Sequence, residues 1–298
     1  MANLAGFLAM SHGPQLMLEP EQWSVVPHRV EGPLPEIPGL AAETLDQKRA
    51  KWDRCHAAIG ELRQKLEEIQ PDTVVLVGDD QHENLLDDNM PAFAVFIGDE
   101  VEASTSLTYF NEPWENNRKR YAVDSKLGRW IVEELMERNF DPAYSRQTKF
   151  PGGLGHAFAR PLKWIQADGR YKVVPIMVNT YFPPAPSPKR CAHFGRSLVD
   201  IIESYGSDER VVLIASGGLS HTKIDETLDH EVLDSVARND VNSLEQLSPE
   251  VLVHGTSEVR NWIVVGAAAD KPAKVLAYEP LYRTVNGIGC AMAFAYWP

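Results

Sequence analysis

Apolar residues recur at Leu45, Trp52, Cys55, Ile59, Leu62, Leu66 and Ile69, in steps of seven, three and four that keep them on one face of a helix. The spacing predicts a long amphipathic helix over 41–69. Pro71-Asp72 ends it, and Thr73-Val74-Val75-Leu76-Val77-Gly78 follows, an unbroken β-branched run of the kind found in a strand covered on both faces. The alternation continues with helical spacing over 124–138, a strand at 172–178 (KVVPIMV), a helix at 190–205, a strand at 210–215 (RVVLIA) and a helix at 226–237. A helix at 258–269, a strand at 274–279 (KVLAYE) and a small-residue strand from Gly287 to Trp297 complete the series, while LAGFLAM ahead of Ser11 reads as the first strand. Helices alternating with buried strands predict an α/β fold with a largely covered central sheet.

Two segments break the rhythm: the Pro-rich stretch from Pro20 to Pro38, and Pro183 to Pro188. Neither is expected to be regular structure, because proline removes a backbone donor and fixes φ. Long ordered loops in compact domains serve as lids and binding loops, or as plain connectors. The chain shows no internal repeat or domain boundary, so residues 1–298 are read as one domain, large enough to bury a core without disulfide or metal staples.

Charge and composition then remove whole classes of function. With 42 acidic against 29 basic residues, the net charge is −13, which repels a phosphate backbone and argues against nucleic-acid binding. No apolar run approaches the roughly 18 residues that cross a bilayer, so no membrane role is expected. The N-terminal MANLAGFLAMSHG has no basic residue ahead of its apolar stretch, unlike a secretory signal, so the expected location is cytoplasmic. Cys55, Cys191 and Cys290 form no C-x-x-C pair; they are expected to be buried small hydrophobes rather than disulfide partners or zinc ligands.

The chain has no phosphate-binding G-x-x-x-x-G-K-[ST] loop, complete G-x-G-x-x-G, G-x-S-x-G elbow or H-E-x-x-H. What stands out is a set of histidines where predicted strands end, the position at which α/β folds keep their ligand crevices. His12 follows the first strand. His82 lies in Gly78-Asp79-Asp80-Gln81-His82-Glu83-Asn84, directly after the buried TVVLVG run. His156 sits in the glycine-rich turn Gly152-Gly153-Leu154-Gly155, and His221 follows Ser216-Gly217-Gly218-Leu219-Ser220. Glu258 opens a late helix, where the helix dipole already favours an acid. Two neutral imidazoles and one carboxylate make the facial triad of non-haem Fe(II) oxygenases, and His12, His82 and Glu258 supply that composition. The same residues also suit a solvated loop, a simple turn and a capping glutamate.

Taken in order, S-H-G-P, the histidine-bearing turn after a buried strand, G-H-A-F, S-G-G-L-S-H and E-V-R-N-W span nearly the whole chain. In that order they resemble the class III extradiol ring-cleavage dioxygenases, the superfamily of the protocatechuate 4,5-dioxygenase catalytic (beta) subunit, and most of all its gallate and 3-O-methylgallate branches. The resemblance implies that His12, His82 and Glu258 bind Fe(II), that His221 is the acid/base, and that His156 contacts a substrate hydroxyl or the leaving oxygen. In relatives the metal histidine directly follows an acidic residue, whereas here Gln81 separates Asp80 from His82. Also implied are a single α/β domain with a central mixed sheet, a catecholic substrate with O2, and often a homodimer.

The segment from Pro20 to Pro38, with Trp23 and His28, is expected to take over part of the cover that a small helical second subunit gives the two-subunit enzymes. Arg160, Lys163, Arg260 and Arg283 are the cations considered for a ring carboxylate. A zinc hydrolase could use the same two histidines and glutamate, and a non-catalytic interaction protein could keep the fold without the chemistry. Retention of His221 and His156 beside the ligand set speaks against the latter, since a binding module has no need of an acid/base.

Overall fold

In a computed structural model, which describes residues 3–27, 34–166 and 168–298 and all their side chains but that of Thr108, the buried apolar runs form the middle of one mixed sheet. The strands are β1 (Asn3–Met10), β2 (Thr73–Gly78), β3 (Phe93–Phe96), β4 (Glu100–Ser104), β5 (Arg118–Ala122), β6 (Ala143–Ser145), β7 (Lys172–Val178), β8 (Arg210–Ser216), β9 (His221–Lys223), β10 (Lys274–Tyr282) and β11 (Ile288–Trp297). Among the described residues, nine of them join in the order β10-β11-β1-β8-β2-β7-β3-β6, with β9 paired to β11, while β4 and β5 form a separate two-stranded ribbon. The helices are α1 (Leu45–Ile69), α2 (Ser125–Glu137), α3 (His156–Ile165), α4 (Pro188–Ser204), α5 (Glu226–Arg238), α6 (Val241–Glu245) and α7 (Val259–Ala269).

Alternation along the central strands divides the core in two. Val75, Val77, Leu213 and Ala215 face a cluster filled from α2, α4, α5 and α7, whereas Val74, Leu76, Val212 and Ile214 face one filled from α1 and α3. This two-sided burial is why the strands read as unbroken apolar runs. The fold is α/β with a covered sheet, as the pattern predicts, and the sheet is mixed, as the resemblance implies. No helix among the described residues is long and apolar enough to cross a membrane. Cys55, Cys191 and Cys290 are all free and buried.

Three local differences have physical causes. The first helix begins at Leu45 because Thr44 caps it, its side chain accepting from the Gln47 N–H while Gln47 reaches back, the reciprocal pattern that starts a helix. Parts of both Pro-rich segments are regular: Pro20–Val25 is a 3-10 turn and Pro188 opens α4 behind the cap of Ser187, since a proline at the first helical position loses no bond. The turn expected around His156 is followed at once by α3, which the internal Pro161 hides from a reading of helical signals.

The central feature for function is the run of parallel neighbours β1, β8 and β2. Met10 pairs in register with Ser216, and Val77 with Ala215. Their C-terminal ends therefore open on the same edge of the sheet, and the chain that leaves each end supplies the site.

Candidate functional site

From the end of β1 comes His12, almost fully buried. Its Nδ1 lies 2.9 Å from Ser216 Oγ at the end of β8. The Ser216 hydroxyl donates to the carbonyl of Ala157, so its oxygen is left to accept from His12, which places the imidazole proton on Nδ1. That carbonyl is available because Pro161, four residues on in α3, has no N–H to offer it. The chain from Pro161 through Ala157 and Ser216 thus leaves His12 Nε2 with its lone pair, 3.5 Å from Glu258 Oε2. Burial, only partly offset by Glu258, pushes His12 down to about 3, so the ring is neutral and free to ligate.

Glu258 ends a 3-10 turn (His254–Glu258) that leads into α7. Burial acts to raise its carboxyl, but His221, His12 and the hydrogen bonds it accepts outweigh burial and hold it well below the usual range. Those bonds come from Gly218 N–H at 2.7 Å, Gln81 Nε2 at 2.9 Å and His221 Nε2 at 3.0 Å. The rest of E-V-R-N-W serves the same turn. Asn261 Nδ2 donates to Ser216 O and Trp262 Nε1 to Gly217 O, while Arg260 donates to the carbonyls of Pro186, Leu252 and Ser257.

His221 Nδ1 lies 2.9 Å from the carbonyl of Leu219, to which it can only donate, so Nε2 is the nitrogen facing Glu258. Burial acts to lower His221, but the Glu258 carboxylate prevails and the ring is pushed up to about 9. A Cβ at Gly255 would overlap this ring, so glycine there is what lets the 3-10 turn close against it. On the other side, His156 begins α3, with its Nδ1 3.0 Å from Glu83 and its backbone N–H donating to the same carboxylate. Burial acts to raise Glu83, yet His156 outweighs it and keeps the group below its usual range.

The loop after β2 departs from the expected ligand set. Asp79, Gln81 and Glu83 point to the site, while Asp80 and His82 point away. Asp80 caps the loop by accepting the N–H groups of Glu83, Asn84 and Leu85. His82, at a left-handed φ of 61°, stacks on Phe182 with ring centroids 3.5 Å apart and pairs with Asp87 at 3.1 Å. It does not meet His12 and Glu258, because the loop turns where Asp80 accepts the N–H groups of Glu83, Asn84 and Leu85 and the left-handed backbone at position 82 carries the ring to Phe182 instead. The residues that converge are His12, Asp79 and Glu258, all buried, with ligand atoms within 4.8 Å of one another. Burial and then the Glu258 charge push the Asp79 carboxyl well above its usual range. One imidazole lone pair and two carboxylates suit a divalent transition-metal ion, Fe(II) among them.

His12 and Glu258 floor a cavity of about 270 Å³, whose lining also includes Gln81, His156 and His221 and the apolar Leu107, Trp114, Phe150 and Met292; Asp79 lies behind this floor, fully buried. Val26 and Pro27 of the Pro-rich segment line it too, whereas His28 and Pro33 lie outside the described residues; Trp23 is buried beneath, its Nε1 donating to Gln15 O. Of the four cations considered for a carboxylate, Arg160 and Arg283 line the cavity, Arg260 is committed to backbone carbonyls, and Lys163 is exposed on α3. Arg160 donates to His12 O. Arg283 donates to Val26 O, and its Nε has no partner among the described residues. Asp79, Gln81, Glu83 and Ser216 are the site residues that a search for histidines passes over; the alternation 79, 81, 83 after a buried strand is the signal that could have found three of them.

A family profile described as the catalytic LigB subunit of aromatic ring-opening dioxygenase matches residues 6–293. The chain is 25% identical over 162 residues to the 2,3-dihydroxyphenylpropionate/2,3-dihydroxicinnamic acid 1,2-dioxygenase of Photorhabdus laumondii subsp. laumondii, a match covering 54% of this chain and 46% of that enzyme. The 2,3-dihydroxyphenylpropionate/2,3-dihydroxicinnamic acid 1,2-dioxygenase 2 of Dechloromonas aromatica is 30% identical over 166 residues, 55% of this chain and 47% of the enzyme. The match thus spans about half the length of these curated relatives. The crystal structure of uncharacterized protein JW3007 from Escherichia coli K12 superposes over 98% of both chains with a TM-score of 0.51 at 14% identity, a likeness of fold alone.

Proposed function

The chain belongs to the family of the catalytic LigB subunit of aromatic ring-opening dioxygenase, and from that premise we propose that it opens the ring of a carboxylated catechol with O2, as an extradiol enzyme, at Fe(II) held by His12 and Glu258. The observation that carries this reading is the convergence on one cavity of a neutral imidazole with a fixed free nitrogen, an ionised buried glutamate and two further histidines, His221 and His156. Fe(II), when bound, supplies a Lewis acid that favours loss of the catechol's hydroxyl protons, and a route for electron density from the ring to O2. The reaction balances without an external reductant: one ring carbon–carbon bond beside the hydroxyl pair breaks, and both atoms of O2 end in the opened product.

The protein's own part is positioning and proton transfer. His221 has one nitrogen committed to Leu219 O, so Nε2 alone can exchange a proton at the cavity floor, a role usually worth about 10² to 10⁴ in rate. His156, its Nδ1 taken by Glu83, has Nε2 left for a substrate hydroxyl. Leu107, Trp114 and Phe150 provide apolar walls for the ring. Arg283 is the cation for the carboxylate, and the named substrate of the relatives, 2,3-dihydroxyphenylpropionate, carries such a group on a catechol. Val26 and Pro27 support the segment from Pro20 to Pro38 as part of the cover. Three free cysteines suit the reducing cytoplasm.

Anaerobic reconstitution with Fe(II), followed by O2 uptake on protocatechuate, gallate, 3-O-methylgallate, 2,3-dihydroxyphenylpropionate and plain catechol, tests the reading. The expected result is uptake matched one-to-one with ring-opened product on a carboxylated substrate. Absence of uptake on all five with iron bound overturns it.

A further inference from the structure

We propose that Asp79 is the third protein ligand of the metal, standing in for the second histidine of the enzymes this chain resembles, and that Gln81 is a strap between the two carboxylates rather than a ligand. The inference rests on the reading of the cavity floor as a metal site, and is independent of the reaction carried out there.

Position comes first. Asp79 follows β2 at the edge where β1 and β8 deliver His12 and Ser216. Its carboxylate lies within 4.8 Å of the ligand atoms of His12 and Glu258, which are themselves 3.5 Å apart. Donors sharing one ion through bonds of about 2.1 Å sit about 3 to 4 Å apart, so the three groups stand close to that spacing and slightly wide of it.

Asp79 is also short of partners. A buried carboxylate normally accepts charge-assisted bonds of about 2.7 to 2.9 Å. Asp79 is fully buried and, among the described residues, receives only two long amide contacts, from Gln81 Nε2 at 3.3 Å and Asn261 Nδ2 at 3.4 Å. Beside it stands a second fully buried carboxylate, Glu258. Two like charges out of water are disfavoured, and without a metal one of them is left to take up a proton; a divalent ion held by Asp79, Glu258 and neutral His12 would let both carboxylates stay ionised.

Gln81 occupies the sequence position directly after an acidic residue, where relatives carry their metal histidine, yet its orientation excludes it from ligation. Nε2 donates to Glu258 Oε1 at 2.9 Å and to Asp79 Oδ2 at 3.3 Å. Two carboxylate acceptors fix the NH2 end toward the site, and an amide NH2 has no lone pair for a metal. What Gln81 does is hold the two carboxylates together. The consequence is selectivity: one imidazole and two carboxylates make a harder set than two imidazoles and one carboxylate, and shift relative preference toward Mn(II) and away from Zn(II).

The test uses the full chain, stripped of metal and titrated anaerobically with Fe(II) and with Mn(II), with binding followed by metal analysis, by Mn(II) electron paramagnetic resonance and by the metal-induced rise in Tm. The wild type is expected to take up one ion per chain. Asp79→Asn keeps the shape and removes the charge, so its metal-free Tm should equal or exceed that of the wild type. It should lose more affinity than the roughly 10- to 100-fold that follows loss of an outer-shell partner, and with it the metal-induced rise in Tm. Gln81→Leu should fall within that 10- to 100-fold range. If Asp79→Asn binds Mn(II) within about tenfold of the wild type, or Gln81→Leu is the variant that loses the metal, the assignment is overturned. A wild type that binds neither ion removes the metal site itself. Metal binding that depends on Asp79 without O2 uptake leaves this assignment standing and removes only the dioxygenase.

Discussion

The hydroxyl of Ser216 donates to the carbonyl of Ala157 and faces His12 Nδ1 at 2.9 Å, joining residues 204 positions apart. This pair decides which imidazole nitrogen is free to meet a metal, and a histidine ligand depends on its second-nitrogen partner for both tautomer and ring orientation. Ser216→Ala is therefore expected to weaken binding of the proposed divalent metal about 10- to 100-fold. It also leaves the His12 N–H without its partner, at a stability cost of about 1 to 3 kcal/mol. Metal titration and urea unfolding of the metal-free variant check both; wild-type metal affinity would show that the tautomer is set elsewhere.

The two floor histidines give the metal-free protein opposite pH limbs. His12 is pushed down to about 3 from an ordinary 6.5, so the unfolded chain binds its proton first, and stability falls as pH drops from about 6.5 toward 3. His221 is pushed up to about 9; its contribution is complete below about 6.5 and is lost as pH rises through 9. Together they place their combined optimum near pH 6.5. Urea titrations across pH should show the alkaline limb vanish in His221→Gln and the acid limb shrink in His12→Gln. An alkaline limb unchanged in His221→Gln would mean that the Glu258 contact does not charge the ring.

How much of this could be read from the chain follows from what each element needs. The helix from Leu45 and the strands Thr73–Gly78 and Arg210–Ser216 are written in local periodicity and in β-branched runs, because each is buried by its own residues. His12, His156, His221 and Glu258, which line one cavity, stand out in the sequence because chain leaving a strand or opening a helix is where a covered sheet exposes polar groups. β5 (RKRYA) and the three-residue β6 carry no alternation; β5 is held by pairing with β4, the strand just before it, and β6 by pairing with β3, farther back in the chain. His82 is the instructive miss. Whether position 81 or 82 faces the site depends on the first dihedrals beyond Gly78 and on Asp80 capping the loop, neither of which composition reports.

Gly255 sits against the His221 ring so closely that a Cβ would overlap it. Gly255→Ala is expected to push the ring off Glu258, with an overpacking cost of about 1 to 3 kcal/mol. With His221 as the proposed acid/base, its displacement should lower kcat by at least about tenfold and up to the roughly 10⁴-fold expected of such groups, while the ion stays bound. Turnover and metal content measured on the same sample decide this, and wild-type kcat would place the proton transfer on another group.

Arg283 has two roles that one substitution would confuse. Its guanidinium lines the cavity with Nε unpartnered among the described residues, and it also donates to Val26 O, which ties down the chain at Val26 and Pro27 on the cavity wall. Arg283→Met removes both. If the charge reads a substrate carboxylate, kcat/KM for carboxylated catechols should fall about 10- to 100-fold, the worth of a hydrogen bond to a charged group, while kcat/KM for plain catechol stays unchanged. If the arginine only anchors the loop, both substrates should suffer alike, because a loosened cover exposes the ring whatever its substituent. The ratio of the two substrates across wild type and variant therefore isolates the electrostatic part, and an unchanged ratio would transfer the carboxylate to Arg160, the other cation on the same wall.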